Sequence, residues 1–235
     1  MNEIERFKRQ AAERAVEFVE DGMVIGLGTG STVRHLLEIL AERRKQGALR
    51  HVVGIPTSRA TEWYARDLGL RLSALEEEPR VDLTIDGADE VDPQLNLIKG
   101  GGGALLWEKI VACNSERLII VADEGKLVKR LGERVPMPLE VVPFGWNTQL
   151  SWLDHLGAEP VLRLAANGSP FVTDSGHYLI DCHFKDGITE PMRVQREVRQ
   201  HPGVVDCGLF LGLADVVVVG GVDGSRVVHA EAAPR

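Results

Sequence analysis

The chain has 235 residues, 44% of them hydrophobic, enough to bury the core of one large domain that carries a smaller one. Its 27 Lys and Arg against 35 Asp and Glu leave a net charge of -8, which disfavours nucleic acid as a partner. Any phosphate must therefore be met by a local cluster of cations or backbone amides. Cys113, Cys182 and Cys207 lie far apart, in odd number and without a C-x-x-C, so no disulfide framework is expected. No apolar run approaches the roughly 20 residues that cross a bilayer, and the expected setting is the cytoplasm.

In chain order, Met1 to Glu20 alternates charges with Ile4, Phe7, Ala11, Ala15 and Phe18, the pattern of an amphipathic helix rather than a signal peptide. Short apolar runs then alternate with turns and helical patterns. Strands are predicted at 23–27, 52–55, 81–85 and 118–122, with helices at 31–43 and 58–68. Strand, turn and helix in repetition predict a parallel sheet covered by helices, with ligands at the carboxyl ends of its strands. Beyond Pro136-Met137-Pro138 the order becomes strand (139–142), helix (147–156), strand (160–164), a hairpin across Thr173 to Gly176 into 178–183, helix (190–200) and strand (204–210). This βαββαβ order is that of a small ferredoxin-like α+β domain. A buried-type strand at 214–220 is expected to rejoin the first sheet, followed by a last strand at 226–229. The predicted architecture is α/β, a parallel-sheet domain covered by helices (1–134 and 211–235) with the smaller α+β domain (135–210) between its parts.

Four segments could carry chemistry. Gly26-Leu27-Gly28-Thr29-Gly30-Ser31-Thr32 follows a strand and opens a helix, a place where glycines admit a ligand and unpaired N–H groups attract an anion. It matches neither the dinucleotide fingerprint nor a P-loop, and as a local pattern it could equally be a plain capped turn. Asp86-Gly87-Ala88-Asp89-Glu90-Val91-Asp92 ends the third strand, and its carboxylates fit sugar hydroxyls, turn capping or a divalent metal. Lys99-Gly100-Gly101-Gly102-Gly103 precedes a helix that places Glu108 about one turn from its start, either facing back toward the loop or standing in solvent. Val121-Ala122-Asp123-Glu124-Gly125-Lys126 is another strand end with a Lys beyond it. The seven histidines form no metal-ligand spacing, and no Gly-x-Ser-x-Gly elbow is present.

Taken in order, these segments resemble the A-type ribose-5-phosphate isomerase family. The resemblance runs from Gly28-Thr29-Gly30-Ser31-Thr32 through Asp86-Gly87-Ala88-Asp89-Glu90, Lys99 to Gly102, Glu108-Lys109-Ile110 and Ala122-Asp123 with Lys126. It continues to Pro138 to Pro143 and Pro202-Gly203-Val204-Val205. It implies a Rossmann-like domain with an inserted ferredoxin-like domain, in agreement with the strands read above, and an aldose-ketose isomerase that interconverts ribose 5-phosphate and ribulose 5-phosphate through an enediolate, in the non-oxidative pentose phosphate pathway, without metal or cofactor. Glu108 matches the family's catalytic base, with Lys99, Asp86 and Asp89 as its catalytic partners. The substrate site would comprise Thr29, Gly30, Ser31, Thr32, Asp86, Gly87, Ala88, Asp89, Lys99, Gly100, Gly101, Gly102 and Lys126. A small sugar phosphate is the implied partner, without nucleic acid or membrane, and a homo-oligomer (dimer or tetramer) is expected. Two departures stand out: Gly103 where relatives often carry Ala, expected only to loosen the helix start, and Glu124-Gly125 before Lys126. An acyl-CoA transferase or a sugar-phosphate sensor on a related fold are the alternatives, the second disfavoured because the residues before the first strand fit only one helix.

Overall fold

A computed structural model describes residues 2–230. Met1, at the start of the expected first helix, and 231–235, within the expected larger domain, lie outside them. Five apolar runs align as the parallel strands β1 (Val24–Leu27), β2 (Val53–Pro56), β3 (Leu83–Gly87), β6 (Leu118–Asp123) and β12 (Val216–Gly221). β13 (Gly224–Val228) returns antiparallel on β12, giving the order β13-β12-β6-β3-β1-β2. β6 and β12 are buried along their whole length, as strands covered on both faces must be, so they are uniformly apolar rather than alternating.

The helices cover this sheet with their apolar stripes. α1 (Glu3–Ala15), capped by Asn2, buries Phe7, Ala11, Ala12 and Ala15. It lies so close to β12 that a Cβ on Gly220 would stand 1.9 Å from the Phe7 carbonyl oxygen, and this approach brings the first turns of α1 to the carboxyl edge of the sheet. α2 (Ser31–Lys45) and α3 (Arg59–Asp67, capped by Ser58) follow β1 and β2. α4 (Leu105–Cys113) follows the glycine run.

Between β3 and α4 the chain makes a hairpin of β4 (Glu90–Val91) and β5 (Leu97–Ile98), which the sequence pattern does not reveal because two residues cannot display alternation. Here the acidic run divides by function. Glu90 accepts hydrogen bonds from the backbone N–H of Gly132, Arg134 and Val135, and Asp92 caps the hairpin turn at Gln94 and Asn96. Only Asp86 and Asp89 remain at the strand end facing the glycine run.

The second sheet is antiparallel, with β7 (Met137–Val141), β8 (Glu159–Leu162), β9 (Tyr178–His183) and β10 (Val204–Cys207) in the order β10-β7-β9-β8. Counted within this unit, that is fourth, first, third, second, the ferredoxin-like arrangement, with α5 (Gln149–His155) and α6 (Pro191–Val198) sharing its core. β9 pairs with β7 and β8, and the 163–177 connection adds two bridges, Leu164 to Pro170 and Val172 to Tyr178, in place of one simple hairpin.

The strand predicted over 204–210 is two strands. It breaks at Gly208, whose N–H donates to Pro138 O (2.7 Å) and whose carbonyl accepts from Lys99 N (2.9 Å), and it continues as β11 (Leu209–Phe210) on β5. The small sheet is thereby stitched to the backbone of Lys99. A Cβ at 208 would lie 2.3 Å from Lys99 O and 2.7 Å from Pro138 Cδ. Gly208→Ala is expected to destabilise the fold by about 1–3 kcal/mol through overpacking, measured by denaturant unfolding.

Candidate active site

The carboxyl ends of β1, β3 and β6 and the start of α4 surround a cavity of about 400 Å³. Its floor is built by close backbone approach. Gly28 passes over Asp86 so tightly that a Cβ there would meet Asp86 Oδ1 at 2.1 Å, and Thr29 N donates to that oxygen at 3.0 Å. Asp86 Oδ1 also accepts from Gly87 N (2.7 Å). Gly30, at φ +125°, then turns the chain into α2, whose first N–H groups have no side-chain cap. They stand at the cavity wall with Ser31 and Thr32 as an anion-attracting helix start.

At the opposite end Lys99 is 3% exposed and its ammonium has three acceptors: Gly87 O (2.5 Å), Asp86 Oδ2 (3.0 Å) and Glu108 Oε1 (3.3 Å). One buried cation thus serves two buried carboxylates. Burial works against the Lys99 charge, but Asp86 and Glu108 outweigh it and raise its pKa. Burial also raises both carboxyls, Glu108 to about 8, with the neighbouring Asp86 charge pushing Glu108 further up and Lys99 opposing. Of the two, Glu108 takes the proton more readily. Asp86 is held by two backbone N–H donors besides Lys99, whereas Glu108 Oε2 is buried with no partner.

Thr29, Gly30, Ser31, Thr32, Gly87, Ala88 and Asp89 line the cavity, as do Lys99, Gly100, Gly102, Glu108 and Lys126. Asp86 lies behind the wall, 1% exposed. Gly101 also stands off the lining, its N–H donating to Asp89 Oδ2 at 2.7 Å. The Thr29 hydroxyl is turned away from the cavity into a cluster with Thr57, Ser58 and Thr61, so Thr29 presents main chain. Gly103 does more than loosen the start of α4. It is left-handed at φ +84°, and a Cβ there would meet the Phe171 ring at 2.5 Å.

Asp123 and Gly125 of the fourth segment also line the cavity, and so do Ile4 and Lys8, for which the sequence suggested only an amphipathic helix. Lys8 is the informative miss. It reaches the cavity from α1, its ammonium held by Glu5 at 2.7 Å, and Glu5 in turn meets His35 Nε2 at 2.9 Å. A lysine on the polar stripe of an amphipathic helix carries no local mark of such a position; only the packing of α1 on β12 reveals it. Among the described residues, no group of three or more His, Cys, Asp or Glu could hold a metal ion, and no helix is long and apolar enough to cross a membrane.

The family model for ribose 5-phosphate isomerase A (phosphoriboisomerase A) matches residues 53–224. The ribose-5-phosphate isomerase A of Gloeobacter violaceus is 52% identical over 233 residues, covering 99% of this chain and 100% of that protein. The chain belongs to the ribose 5-phosphate isomerase A family. The enzyme of the same name from Roseiflexus castenholzii is 51% identical over 218 residues, 93% of each chain. Among solved structures, the ribose 5-phosphate isomerase of Plasmodium falciparum superposes with a TM-score of 0.93 at 39% identity, covering 97% of this chain and 100% of that one. A D-ribose-5-phosphate isomerase in complex with phospho-erythronic acid gives 0.94 at 40% identity, with the same coverage. The activity of an isomerase of this family is the interconversion of ribose 5-phosphate and ribulose 5-phosphate.

The raised Glu108 pKa has a consequence for stability. Folded Glu108 keeps its proton up to about pH 8, against an ordinary value of 4.5. The folded chain therefore holds more protons across that window, and Glu108 subtracts stability progressively as pH rises through it. Glu108→Gln is expected to melt above the parent at pH 9, with the gap closing toward pH 5, as read from thermal scans.

Proposed function

We propose that Glu108 is the base that moves a proton between C2 and C1 of the open-chain sugar phosphate. The observation that carries this reading is its carboxylate: buried on the cavity wall, with Oε2 unpartnered and Oε1 shared with Lys99. In the forward direction the C2–H bond breaks as Glu108 takes the proton, and the electron pair forms the C1–C2 double bond of an enediolate. The hydroxyl proton on O2 passes to O1, an O2 electron pair closes the C2 carbonyl, the C1–C2 pair takes the proton back from the same carboxyl at C1, and no redox cofactor enters the balance. With its pKa raised to about 8, the ionised minority of Glu108 present at pH 7 is the form that takes the proton, and it is a stronger base than an ordinary carboxylate.

Lys99 and the amides of the glycine run stabilise the negative oxygen, a donor set of which one member is commonly worth about 3–4 kcal/mol. Asp89, on the cavity wall, takes the substrate hydroxyls and the ring oxygen during opening. Asp86, behind the wall and fully engaged, holds Lys99 and the Thr29 and Gly87 amides in place. The phosphate lies against the start of α2 with Ser31 and Thr32, between Lys126 and Lys8. A relative that binds phospho-erythronic acid, a phosphorylated sugar acid, supports a site with a cationic end and a proton-bearing end.

The same reading takes 1–134 and 211–235 as the catalytic domain, 135–210 as the insert, and the cytoplasm as the setting. A symmetric homo-oligomer, dimer or tetramer, is supported by the exposed apolar side chains of Val161, Leu164 and Val172 beside the edge strand β8.

Incubation with ribose 5-phosphate in D₂O is expected to give ribulose 5-phosphate carrying deuterium at C1. Glu108→Gln should lower kcat by at least about 10²–10⁴-fold with KM nearly unchanged. Turnover near the parent rate in the Gln variant would remove Glu108 from the mechanism, whereas unlabelled product in the active enzyme would mean that the carboxyl returns its proton faster than it exchanges with D₂O.

A further inference from the structure

The glycine run poses a mechanical problem. Four residues without side chains have no intrinsic preference for which way their peptide planes face, and a rotated plane would point a carbonyl, not an N–H, into the cavity. A carbonyl there would repel the enediolate oxygen. Within the run Gly103 N donates to Gly100 O (3.0 Å), which leaves the 101–102 plane at the middle of that turn to be fixed from outside.

We propose that Arg163, from the inserted antiparallel unit, is the positioning residue that does so. Its Nη1 donates to Gly100 O (2.9 Å) and Gly101 O (3.1 Å). The guanidinium is itself held as a fork by Asp181 of β9, through Nε to Oδ2 at 2.9 Å and Nη2 to Oδ1. Both side chains are largely buried, 15% and 17% exposed, and the guanidinium lies over Phe171, whose ring also packs on Gly103.

The consequence follows from peptide planarity. The 100–101 plane is fixed at both ends, its carbonyl on Arg163 and its N–H on Asp89. The 101–102 plane has its carbonyl drawn out to Arg163, so the trans N–H of Gly102 faces the opposite way, toward the cavity that Gly102 lines. Arg163 thus touches no substrate. It acts through the loop by making a donor of Gly102, and it gives the inserted unit a part in the chemistry. The planar fork matters because Nε and Nη2 meet Asp181 in parallel and so fix the direction in which Nη1 reaches both carbonyls, an orientation that a freely rotating ammonium does not impose.

The proposal rests on the reading in which the glycine amides meet the developing oxyanion. Its test compares Arg163→Met, Arg163→Lys and Asp181→Asn with the parent, normalised to folded protein. The measured quantities are kcat, KM for ribose 5-phosphate and the inhibition constant of phospho-erythronic acid. Arg163→Met is expected to lose about 10–100-fold in kcat and to weaken the acid at least tenfold, with KM within threefold, because a lost transition-state donor lowers kcat rather than ground-state binding. Arg163→Lys keeps a cation at the site should the Met variant fold poorly, and it should fall between the two, with Asp181→Asn shifted in the same direction. A folded Arg163 variant with kcat and inhibition within threefold of the parent overturns the proposal, and so does a rise in KM alone. Glu108→Gln run in parallel separates the two failures. If that variant is inactive while Arg163→Met is unaffected, only the loop proposal falls; if Glu108→Gln is active, the underlying reading falls.

Discussion

Two carboxylates compete for one buried ammonium at the centre of this protein. Lys99 stands between Asp86 and Glu108 where almost no water reaches, and among the described residues neither acid pairs with another cation. Charges so placed cannot all be satisfied at once, so a proton is retained near neutral pH, and the geometry assigns it to the partner with fewer donors. Asp86 has the amides of Thr29 and Gly87; Glu108 has an empty Oε2 beside the cavity. Frustration of this kind is unfavourable for stability and useful for proton transfer, and the surrounding structure works to maintain it.

Much of that surrounding structure is backbone. Gly28 allows the first turn to lie directly on Asp86, and Gly208 allows the second sheet to hydrogen-bond the main chain of Lys99. The inserted unit reaches the larger sheet at several further points: Lys109 from α4 pairs with Asp206 of β10 at 2.9 Å, and Trp107 donates to Ser175 at 2.9 Å. These contacts tie the residues on either side of Glu108 to the inserted unit, so the orientation of Glu108 depends on both sheets. The end of the cavity lined by Lys8 depends instead on α1, which is brought in by the close fit of Phe7 over Gly220.

The sequence displayed the parallel strands because β6 and β12 are long uniform apolar runs, and it displayed the split βαββαβ order because each element there is several residues long. It concealed β4 and β5, which are two residues each, and the break at Gly208, where a single glycine in a strand-like run shows nothing of the backbone packed against it. Glu108 and Lys99 were legible as a constellation only through resemblance to a family, since locally a helix Glu and a loop Lys are ordinary surface residues. Lys8 and Arg163 were illegible for a different reason: each reaches the cavity region from an element far away in sequence, and only tertiary packing brings them there. The acidic run was ambiguous because Asp and Glu serve caps and sites alike; Glu90 and Asp92 turned to backbone amides while Asp86 and Asp89 stayed at the strand end.

The shared ammonium has a direct spectroscopic signature. With ¹³C at the glutamate side-chain carboxyl carbons, the Glu108 resonance, assigned by its loss in the Gln variant, can be followed by NMR as the substrate-free protein is titrated. The account predicts a midpoint displaced upward from 4.5 toward about 8. A midpoint near the ordinary value would mean that Glu108 is fully ionised at neutral pH and that Lys99 satisfies both acids, and the central claim would be contradicted.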